Sequence, residues 1–317
     1  MNIFCAGGVS EHGRSCFLVN GEHYDLLLDC GVKKGKEPLY PLLEKSQIAH
    51  IAYVFITHSH LDHCGALSWL YSQGFTGSVV MSIETKEQIG FTGKGVFLAS
   101  QKGGQALDSG LFLEWGRSGH CEGSLWFRLT LERKTLLYSG DYVETSLEYA
   151  CDKFRTMKAD LAILDCAYGE LPISAAKSRK ELLSLVRKHH REGLETLFPV
   201  PRFGRGTDLR MLFGEDPSIF YVEDPQLEKG IPPERKGCKI VFTGTLEEGS
   251  FALEAVTKNQ AILEYYPVHM TLSEVEILVS CNQFRQVLLF HGDRSVFSSP
   301  HPHSFLLPRP GDSIEIR

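Results

Sequence analysis

The most constraining feature of the sequence is a cluster of metal-binding side-chain types directly after a buried strand. Four such residues fall within six positions: His58, His60, Asp62 and His63. They follow the apolar run IAYVFIT at 51–57, which is typical of a strand covered on both faces. A loop after a strand can aim alternate side chains at one point, and imidazole with carboxylate suits zinc or a similar metal. The pattern therefore predicts a metal site at the end of a buried strand.

The alternative interpretation of clustered histidines is a solvated loop or a helix cap. Several desolvated imidazoles packed together without a metal would be costly, which favours the metal interpretation here. The nine cysteines give no competing site, because they are scattered and contain no CxxC pair. They indicate neither a disulfide framework nor a cysteine zinc site, and we expect reduced, mostly buried thiols.

Composition places the chain among ordinary globular proteins. It has 317 residues, 43% hydrophobic and 23% charged, with room for one large or two modest domains. It contains no apolar run of about 18 residues and its first residues lack a secretory pattern, so we expect a cytoplasmic protein without membrane association. The net charge of −6 argues against a general polyanion-coating protein. It leaves room for a local basic groove.

The order of strand-like and helix-like segments predicts a mixed α/β protein. Residues 15–20 and 24–31 form apolar runs across Gly21, which predicts a hairpin. We expect a short helix at 38–45 and a helix at 177–190 stopped by a glycine. Further strands are expected at 77–82, 110–115, 125–131, 134–138, 159–165, 195–200, 219–222, 239–244 and 287–293. Another helix is expected from Thr207, which can act as its cap.

The metal cluster lies in a stretch that resembles a known family. HSHLDHCGAL resembles the HxHxDH signature of the metallo-β-lactamase superfamily, and its CGAL resembles the RNA-processing branch. Upstream, GRSCFLVNGEHYDLLLDCG resembles the branch's opening hairpin and puts Asp29 where an aspartate braces the metal loop. Downstream, His120 in SGHCEG and Asp141 in LLYSGDY follow in the family's order. The resemblance implies an αββα sandwich.

Three later residues extend the resemblance to the β-CASP group of this branch. They are Asp165 in ILDCAYG, His269 in YYPVHMTL and His291 in LLFHGD. The resemblance implies a core over 1–169 and 255–317, with a reduced, small α/β β-CASP-like cap inserted over 170–254. One departure is that Met270 and Thr271 stand where the family usually has a small residue and an aspartate.

The resemblance also implies roles for these side chains. One ion is held by His58, His60 and His120, a second by Asp62, His63 and His291, and Asp141 bridges them. The ions are expected to be zinc, with manganese or iron left open, and to hold a hydroxide that attacks the substrate. Asp62, His269 and Asp165 are assigned catalytic roles, with His269 as proton donor to the leaving oxygen and Asp165 orienting it. For His269 the alternative is a packed core histidine.

The function that the resemblance favours is a dinuclear zinc phosphodiesterase or ribonuclease acting on RNA or single-stranded nucleic acid. Residues 171–210 carry nine Lys or Arg against four acids, and Arg202 and Arg205 beside glycines are the candidate substrate contacts. The alternative for this region is a solvated helix whose basic end complements its dipole. Two other functions stay open. One is hydrolysis of a small ester, thioester, lactone or cyclic nucleotide, and the other is a non-catalytic scaffold subunit of a processing complex.

Overall fold

The computed structural model describes residues 1–170, 175–199, 204–213, 240–243, 257, 261–263, 268–292 and 304–317. The chain divides into two compact units. The first comprises Met1–Glu144, Ala150–Pro172 and His269–Arg317, and the second comprises Thr145–Tyr149 and Ile173–Val268. The β-CASP-like cap assigned to 170–254 stays a prediction, since only part of that range is described.

The described residues form strands and helices in the following chain order. The strands are β1 (Asn2–Gly7), β2 (Cys16–Asn20), β3 (Asp25–Leu28), β4 (Ile51–Phe55), β5 (Ser78–Ser82), β6 (Gly95–Leu98), β7 (Gly103–Ala106), β8 (Leu111–Arg117), β9 (Leu125–Leu131), β10 (Lys134–Tyr138), β11 (Lys158–Asp165), β12 (Glu195–Pro199), β13 (Ile240–Thr243), β14 (Ala261–Leu263), β15 (Gln283–Phe290), β16 (Phe305–Leu306) and β17 (Ser313–Glu315). The helices are α1 (Lys45–His50), α2 (Leu61–Cys64), α3 (Leu67–Ser72), α4 (Ile83–Ile89), α5 (Ala175–Arg191), α6 (Arg205–Phe213) and α7 (Leu272–Ser280).

The first unit contains two sheets packed face to face. One has the strand order β17-β1-β2-β3-β4-β5-β6 and the other β16-β15-β11-β10-β9-β8-β7. Alternating residues of both sheets, such as Phe17 and Phe55 from one and Phe127 and Phe290 from the other, form a shared fully buried core. This arrangement is the usual consequence of two sheets each having one apolar face.

Helices cover the outer faces of the two sheets. A second core includes Ile48 of α1 and Leu70 of α3 packed against the first sheet. A third includes Val275 and Leu278 of α7 packed against the second sheet. The layers are therefore helix, sheet, sheet and helix, which confirms the predicted αββα sandwich.

Parallel pairing brings several strand ends to the same edge of each sheet. Strand β3 runs parallel to β4, β10 to β11, and β11 to β15. The carboxyl ends of β3 and β4 therefore meet in one sheet, and those of β10, β11 and β15 meet in the other. Loops at these ends are where an α/β protein gathers its functional side chains.

The predicted hairpins are confirmed, but the first helix is displaced. Strand β2 pairs antiparallel with β3, and β9 pairs with β10 across Glu132 and Arg133, both with positive φ. The prediction of a helix at 38–45 was wrong, because the helix begins at Lys45 after a capping box formed by Glu44 and Gln47. A proline disfavours helical geometry in the residue before it, and Pro41 lies inside the predicted segment.

The second unit is a small α/β arrangement of its own. Its parallel three-stranded sheet has the order β13-β12-β14. Helix α5 confirms the predicted amphipathic helix, and its Leu182 and Val186 pack with Phe198 and Leu209. Helix α6 begins at Arg205, so Thr207 lies inside the helix and the prediction of it as the cap was wrong. The strand predicted at 219–222 lies outside the described residues.

Within the described ranges, none of the helices combines the length and the apolar character that crossing a membrane would require.

Candidate metal centre

The candidate site is assembled entirely in the first unit, from loops that follow strands. His58 and His60 come after β4, while Asp62 and His63 lie in the single turn of α2. The other members belong to the second sheet and the helix that covers it. His120 follows β8, Asp141 follows β10, Asp165 ends β11, His291 follows β15, and His269 precedes α7. The structure thus brings together every histidine and aspartate that the resemblance assigned to metal binding or proton transfer.

The first group of ligand atoms consists of three imidazoles and one carboxylate. His58 Nε2 lies 3.0 Å from His60 Nδ1, and His120 Nε2 lies 3.2 Å from the same atom. Asp141 Oδ2 lies 3.6 Å from His58 Nε2 and 3.4 Å from His120 Nε2. These four atoms lie within 4.8 Å of one another. They could hold one metal ion.

The second group shares the other oxygen of Asp141. Asp141 Oδ1 lies 3.1 Å from His63 Nε2 and 3.0 Å from His291 Nδ1. Asp62 Oδ2 lies 3.2 Å from His291 Nε2 and 3.8 Å from His63 Nε2. Asp62, His63 and His291 therefore form a second group of potential ligands, with Asp141 between it and the first.

Three atoms at the centre of the second group have no hydrogen-bond partner among the described residues. They are His63 Nε2, Asp141 Oδ1 and His291 Nδ1, and all are shielded from solvent. Asp141 Oδ1 lies 3.1 Å from His63 Nε2 and 3.0 Å from His291 Nδ1, so both nitrogens converge on the same carboxylate oxygen. Buried polar atoms that converge on one point without a satisfied hydrogen bond are costly unless a ligand joins them. Nitrogen and carboxylate donors of this kind fit a divalent ion such as zinc.

Asp29 ties the metal loop to both sheets. The Asp29 carboxylate accepts two hydrogen bonds from Thr57, one from its backbone N–H at 2.7 Å and one from its side-chain hydroxyl at 2.9 Å. The Tyr138 hydroxyl donates at 2.6 Å, and His63 Nδ1 lies 2.7 Å away. An Nδ1–H that donates to Asp29 leaves Nε2 of His63 free to bind a metal.

The close approach of two loops explains one glycine beside the motif. A Cβ built on Gly31 would lie 1.7 Å from the carbonyl oxygen of Asp62. Cys30 N–H also donates to the His63 carbonyl, so the chain at 30–31 fits directly against α2. Only glycine permits this contact, which fixes the backbone that carries Asp62 and His63.

The electrostatic field of the cluster favours positive charge between the carboxylates. Burial, together with His63 and His60, holds the pKa of His58 well below its usual value, which keeps this imidazole neutral. Burial acts to raise the pKa of Asp141, but His291 and His63 hold it well below normal. Burial acts to lower the pKa of His63, yet Asp141 and Asp29 raise it well above normal. The same carboxylates would attract a metal cation.

His269 is positioned by Asp165 at the border of the cluster. His269 Nδ1 lies 3.1 Å from Asp165 Oδ2, and the His269 ring stands 4.9 Å from that of His120 and 4.8 Å from that of His291. Burial acts to raise the pKa of Asp165, but His269 lowers it to about 2. His269 Nδ1 also lies 3.6 Å from Asp141 Oδ2, so Asp141, Asp165, His269 and His291 can form another ligand group.

The two arginines predicted as substrate contacts stay predictions. Arg202 lies outside the described residues, and Arg205 is the first residue of α6 in the second unit. The sequence interpretation also missed His12, whose exposed ring makes an edge contact with His291 at 5.8 Å. No spacing pattern links His12 to the metal motif, so only the folded chain reveals their proximity.

Comparison with known proteins identifies the family. The family model described as metallo-β-lactamase superfamily matches residues 9–191. A probable RNase of Methanocaldococcus jannaschii is 28% identical over 83% of this chain and 67% of its own length. The cleavage and polyadenylation specificity factor 73 of Drosophila melanogaster is 26% identical over 70% of this chain and 36% of its own. A ribonuclease of Thermus thermophilus is 28% identical over 63% and 51%, so the chain spans about half or less of two of these three relatives.

Two solved structures share the fold at low sequence identity. A protein of unknown function from Enterococcus faecalis covers 99% of both chains with a TM-score of 0.56 and 11% identity. Human tRNase Z, short form, covers 100% of both chains with a TM-score of 0.51 and 13% identity. These similarities support the fold alone.

The named relatives confirm the predicted resemblance to the RNA-processing branch. The family match confirms the predicted class, a hydrolase of the metallo-β-lactamase fold. More than half of the chain matches the family model, and the two-sheet architecture agrees with it. The chain belongs to the metallo-β-lactamase superfamily.

Proposed function

We propose that this chain is a dinuclear zinc phosphodiesterase that cleaves RNA. The observation that carries the proposal is the placement of Asp141, whose Oδ2 faces the histidines of the first group and whose Oδ1 faces His63 and His291. One carboxylate between two ligand groups suits a pair of ions. Such a pair supplies a nucleophile at neutral pH and neutralises charge on a phosphodiester.

The roles of the protein groups follow from their protonation and position. His58, His60 and His120 would hold the first ion, and Asp62, His63 and His291 the second. His269 has its Nδ1 against Asp165, so its other nitrogen can carry a proton toward a leaving oxygen. Asp165 would fix the tautomer and the orientation of the His269 ring through this contact, which is buried on the Asp165 side.

RNA as the substrate is supported by the relatives, several of which are named as ribonucleases. Arg202 and Arg205 are proposed as phosphate contacts on the basis of sequence, as is the β-CASP-like role of the second unit. Manganese or iron in place of zinc stays an alternative, since the nitrogen and oxygen donors suit each of them. Cytoplasmic location also stays a prediction.

A hydrolysis panel tests the proposal. The metal-loaded protein is assayed on labelled RNA, single-stranded DNA, bis-p-nitrophenyl phosphate and a thioester. We expect cleavage of RNA and of the activated phosphodiester. The variant Asp160→Asn is the control for substitutions in the site, because Asp160 accepts hydrogen bonds from Thr135 away from the metal centre. Thioester hydrolysis without RNA cleavage would instead support a small-ester hydrolase. Two bound ions without any hydrolysis would support a scaffold subunit.

His269 provides the sharpest test of phosphodiester chemistry. A ribose oxygen leaves poorly, so a positioned acid contributes about 10²- to 10⁴-fold, whereas p-nitrophenolate leaves without a proton. We expect His269→Ala to keep both ions, to lose RNA cleavage by a factor in that range and to retain most activity on bis-p-nitrophenyl phosphate. Asp165→Asn should show a milder form of the same split. Loss of an ion in His269→Ala would make His269 a ligand, and no change in either reaction would make it a packed core residue.

A further inference from the structure

An exposed histidine, His12, lies beside the second ligand group of the metal centre. Its ring meets that of His291 edge-on, with the ring centres 5.8 Å apart. Most of this ligand group is closed to solvent, since the side chains of His63 and Asp141 are only 0% and 2% exposed. Asp62, which lies against His291, is 33% exposed. Solvent therefore reaches the second group beside Asp62, and His12 lies next to the same histidine.

The β1–β2 loop, which carries His12, is bonded to the metal centre at both of its ends. At its start the Gly8 carbonyl accepts a hydrogen bond from the backbone N–H of His291 at 2.8 Å. At its end the Ser15 N–H donates to the Asp62 carbonyl, also at 2.8 Å. Both bonds join the loop to the backbone of a proposed ligand. The position of His12 is therefore tied to that of the second ligand group.

Ion pairs fix the interior of the same loop. The Glu11 carboxylate accepts from Arg14 Nε at 2.6 Å and from Lys33 Nζ at 3.0 Å. Two cations against one carboxylate leave a net positive charge here, which suits an anionic ligand. Ser10 and Arg14 have φ of 52° and 44°, a conformation that is uncommon outside glycine and that persists only where the surroundings impose it. The loop thus holds Glu11 inward and His12 outward in one defined conformation.

The geometry does not make His12 a metal ligand. Across the described ranges, His12 belongs to none of the three groups whose ligand atoms lie within 4.8 Å of one another. An imidazole nevertheless carries at least one N–H donor in either tautomer. Because the ring is exposed and adjoins His291, this donor is accessible to a ligand bound at the second group.

We propose that His12 binds the substrate by donating a hydrogen bond to a non-bridging oxygen of the phosphate group held at the metal centre. Such an oxygen is charged in the substrate and in the product, so the bond contributes to binding in both. His269 differs, because it is proposed to serve the leaving oxygen and should matter only where the leaving group needs a proton. The inference rests on the proposed phosphodiesterase function for the identity of the ligand.

Calorimetric titration of the metal-loaded protein with uridine 5′-monophosphate tests the contact without requiring catalysis, and uridine is the probe without a phosphate. His12→Phe keeps a ring against His291 but has no N–H, so we expect it to bind the nucleotide about 10- to 100-fold more weakly. His12→Gln, which has an N–H donor, should recover part of this loss. His23→Phe is the matched control, because His23 is exposed in the β2–β3 turn, at the end of β3 away from the site.

Kinetics and metal content give the second measurement. We expect His12→Phe to keep both ions and to raise KM by a similar factor for RNA and for bis-p-nitrophenyl phosphate while kcat stays nearly constant, because the lost bond serves binding alone. Thermal unfolding of each variant confirms that it is folded. Loss of an ion in His12→Phe, or an effect on RNA alone, overturns the phosphate contact.

The two proposals fail in different ways. Cleavage of RNA together with nucleotide binding and KM values that His12→Phe leaves unchanged makes His12 a surface residue that only packs on His291, and leaves the nuclease intact. Nucleotide binding with the expected variant effects, but without hydrolysis of any phosphodiester, supports the contact of His12 and overturns the nuclease. A His12→Gln variant that binds no better than His12→Phe overturns the role of the N–H donor.

Discussion

Replacing Asp29 by asparagine is expected to weaken metal binding although Asp29 is not itself a proposed ligand. Asp29 is fully buried, and its Oδ2 faces Thr57 Oγ1, Tyr138 Oη and His63 Nδ1 at 2.9, 2.6 and 2.7 Å. An amide nitrogen in the place of Oδ2 would oppose these three hydrogen-bond donors. The two hydroxyls can rotate and accept, but His63 Nδ1 can accept only if its proton moves to Nε2.

The proton on Nε2 would occupy the atom that faces Asp141 in the second ligand group. Substitution of groups that orient a ligating histidine lowers metal affinity by about 10- to 100-fold. The lost bond to the charged acceptor should also lower the free energy of unfolding of the metal-free protein by about 1.5–3 kcal/mol. The first effect comes from the tautomer of His63, and the second comes from the loss of the charged acceptor.

The assay is competition for Zn²⁺ between the protein and a chelator, with urea unfolding of the metal-free form as the second measurement. Asp160→Asn is the control, since Asp160 also accepts from a backbone N–H and a hydroxyl, both of Thr135, outside the site. If Asp29→Asn lowered stability but bound Zn²⁺ as tightly as the control, Asp29 would be a core carboxylate without influence on the metal. An unchanged stability would refute the argument from the hydrogen bonds.

Three further perturbations follow from the same geometry. Asp141→Ala should lose at least one ion and nearly all activity, as elemental analysis and the hydrolysis panel would show, because both ligand groups share this carboxylate. Gly31→Ala should lower the unfolding midpoint and the metal content together, since its Cβ would meet the Asp62 carbonyl at 1.7 Å; normal metal content would show that the loop can yield. Arg117 donates two hydrogen bonds to Asp152 and lowers its pKa, so this pair stabilises the fold above the unfolded pKa of the aspartate and the contribution disappears as pH falls through the folded pKa. Urea unfolding of wild type and Asp152→Asn between pH 6 and pH 2 should therefore converge at low pH, by less than about 1 kcal/mol because the pair is partly exposed.

The sequence predicts those parts of the fold whose signal is local. Strands β9 and β10 have the predicted bounds, since apolar alternation and the turn at Glu132 and Arg133 define the hairpin within a few residues. Strand β1 was missed, because NIFCAG acquires its extended form from pairing with β2 and β17 at distant positions. Helix α1 was displaced because a capping box outweighed the apolar pattern before it.

The candidate site divides in the same way between local and distant information. The resemblance to a known family identified the histidines and aspartates that the structure gathers, and several of them directly follow a strand, as His58, Asp141 and His291 do. Sequence order alone could not supply a cavity of about 620 Å³ beside Ser59, since its wall joins the motif loop to residues 88–93 on a separate helix and loop. Nor could it supply the contact of His12 with His291.

The arrangement of strand ends explains why the metal-binding side chains meet in this unit. Asp29 and His58 follow parallel strands of one sheet, while Asp141, Asp165 and His291 follow parallel strands of the other. A site formed from both sheets needs a tie between them, and Tyr138 of the second sheet supplies it by donating to Asp29 of the first. The motif loop is thereby held by the hydrogen bond of Thr57 to Asp29 and by the close packing of Gly31 against Asp62. Ser59 and Leu61 of the same loop line the neighbouring cavity.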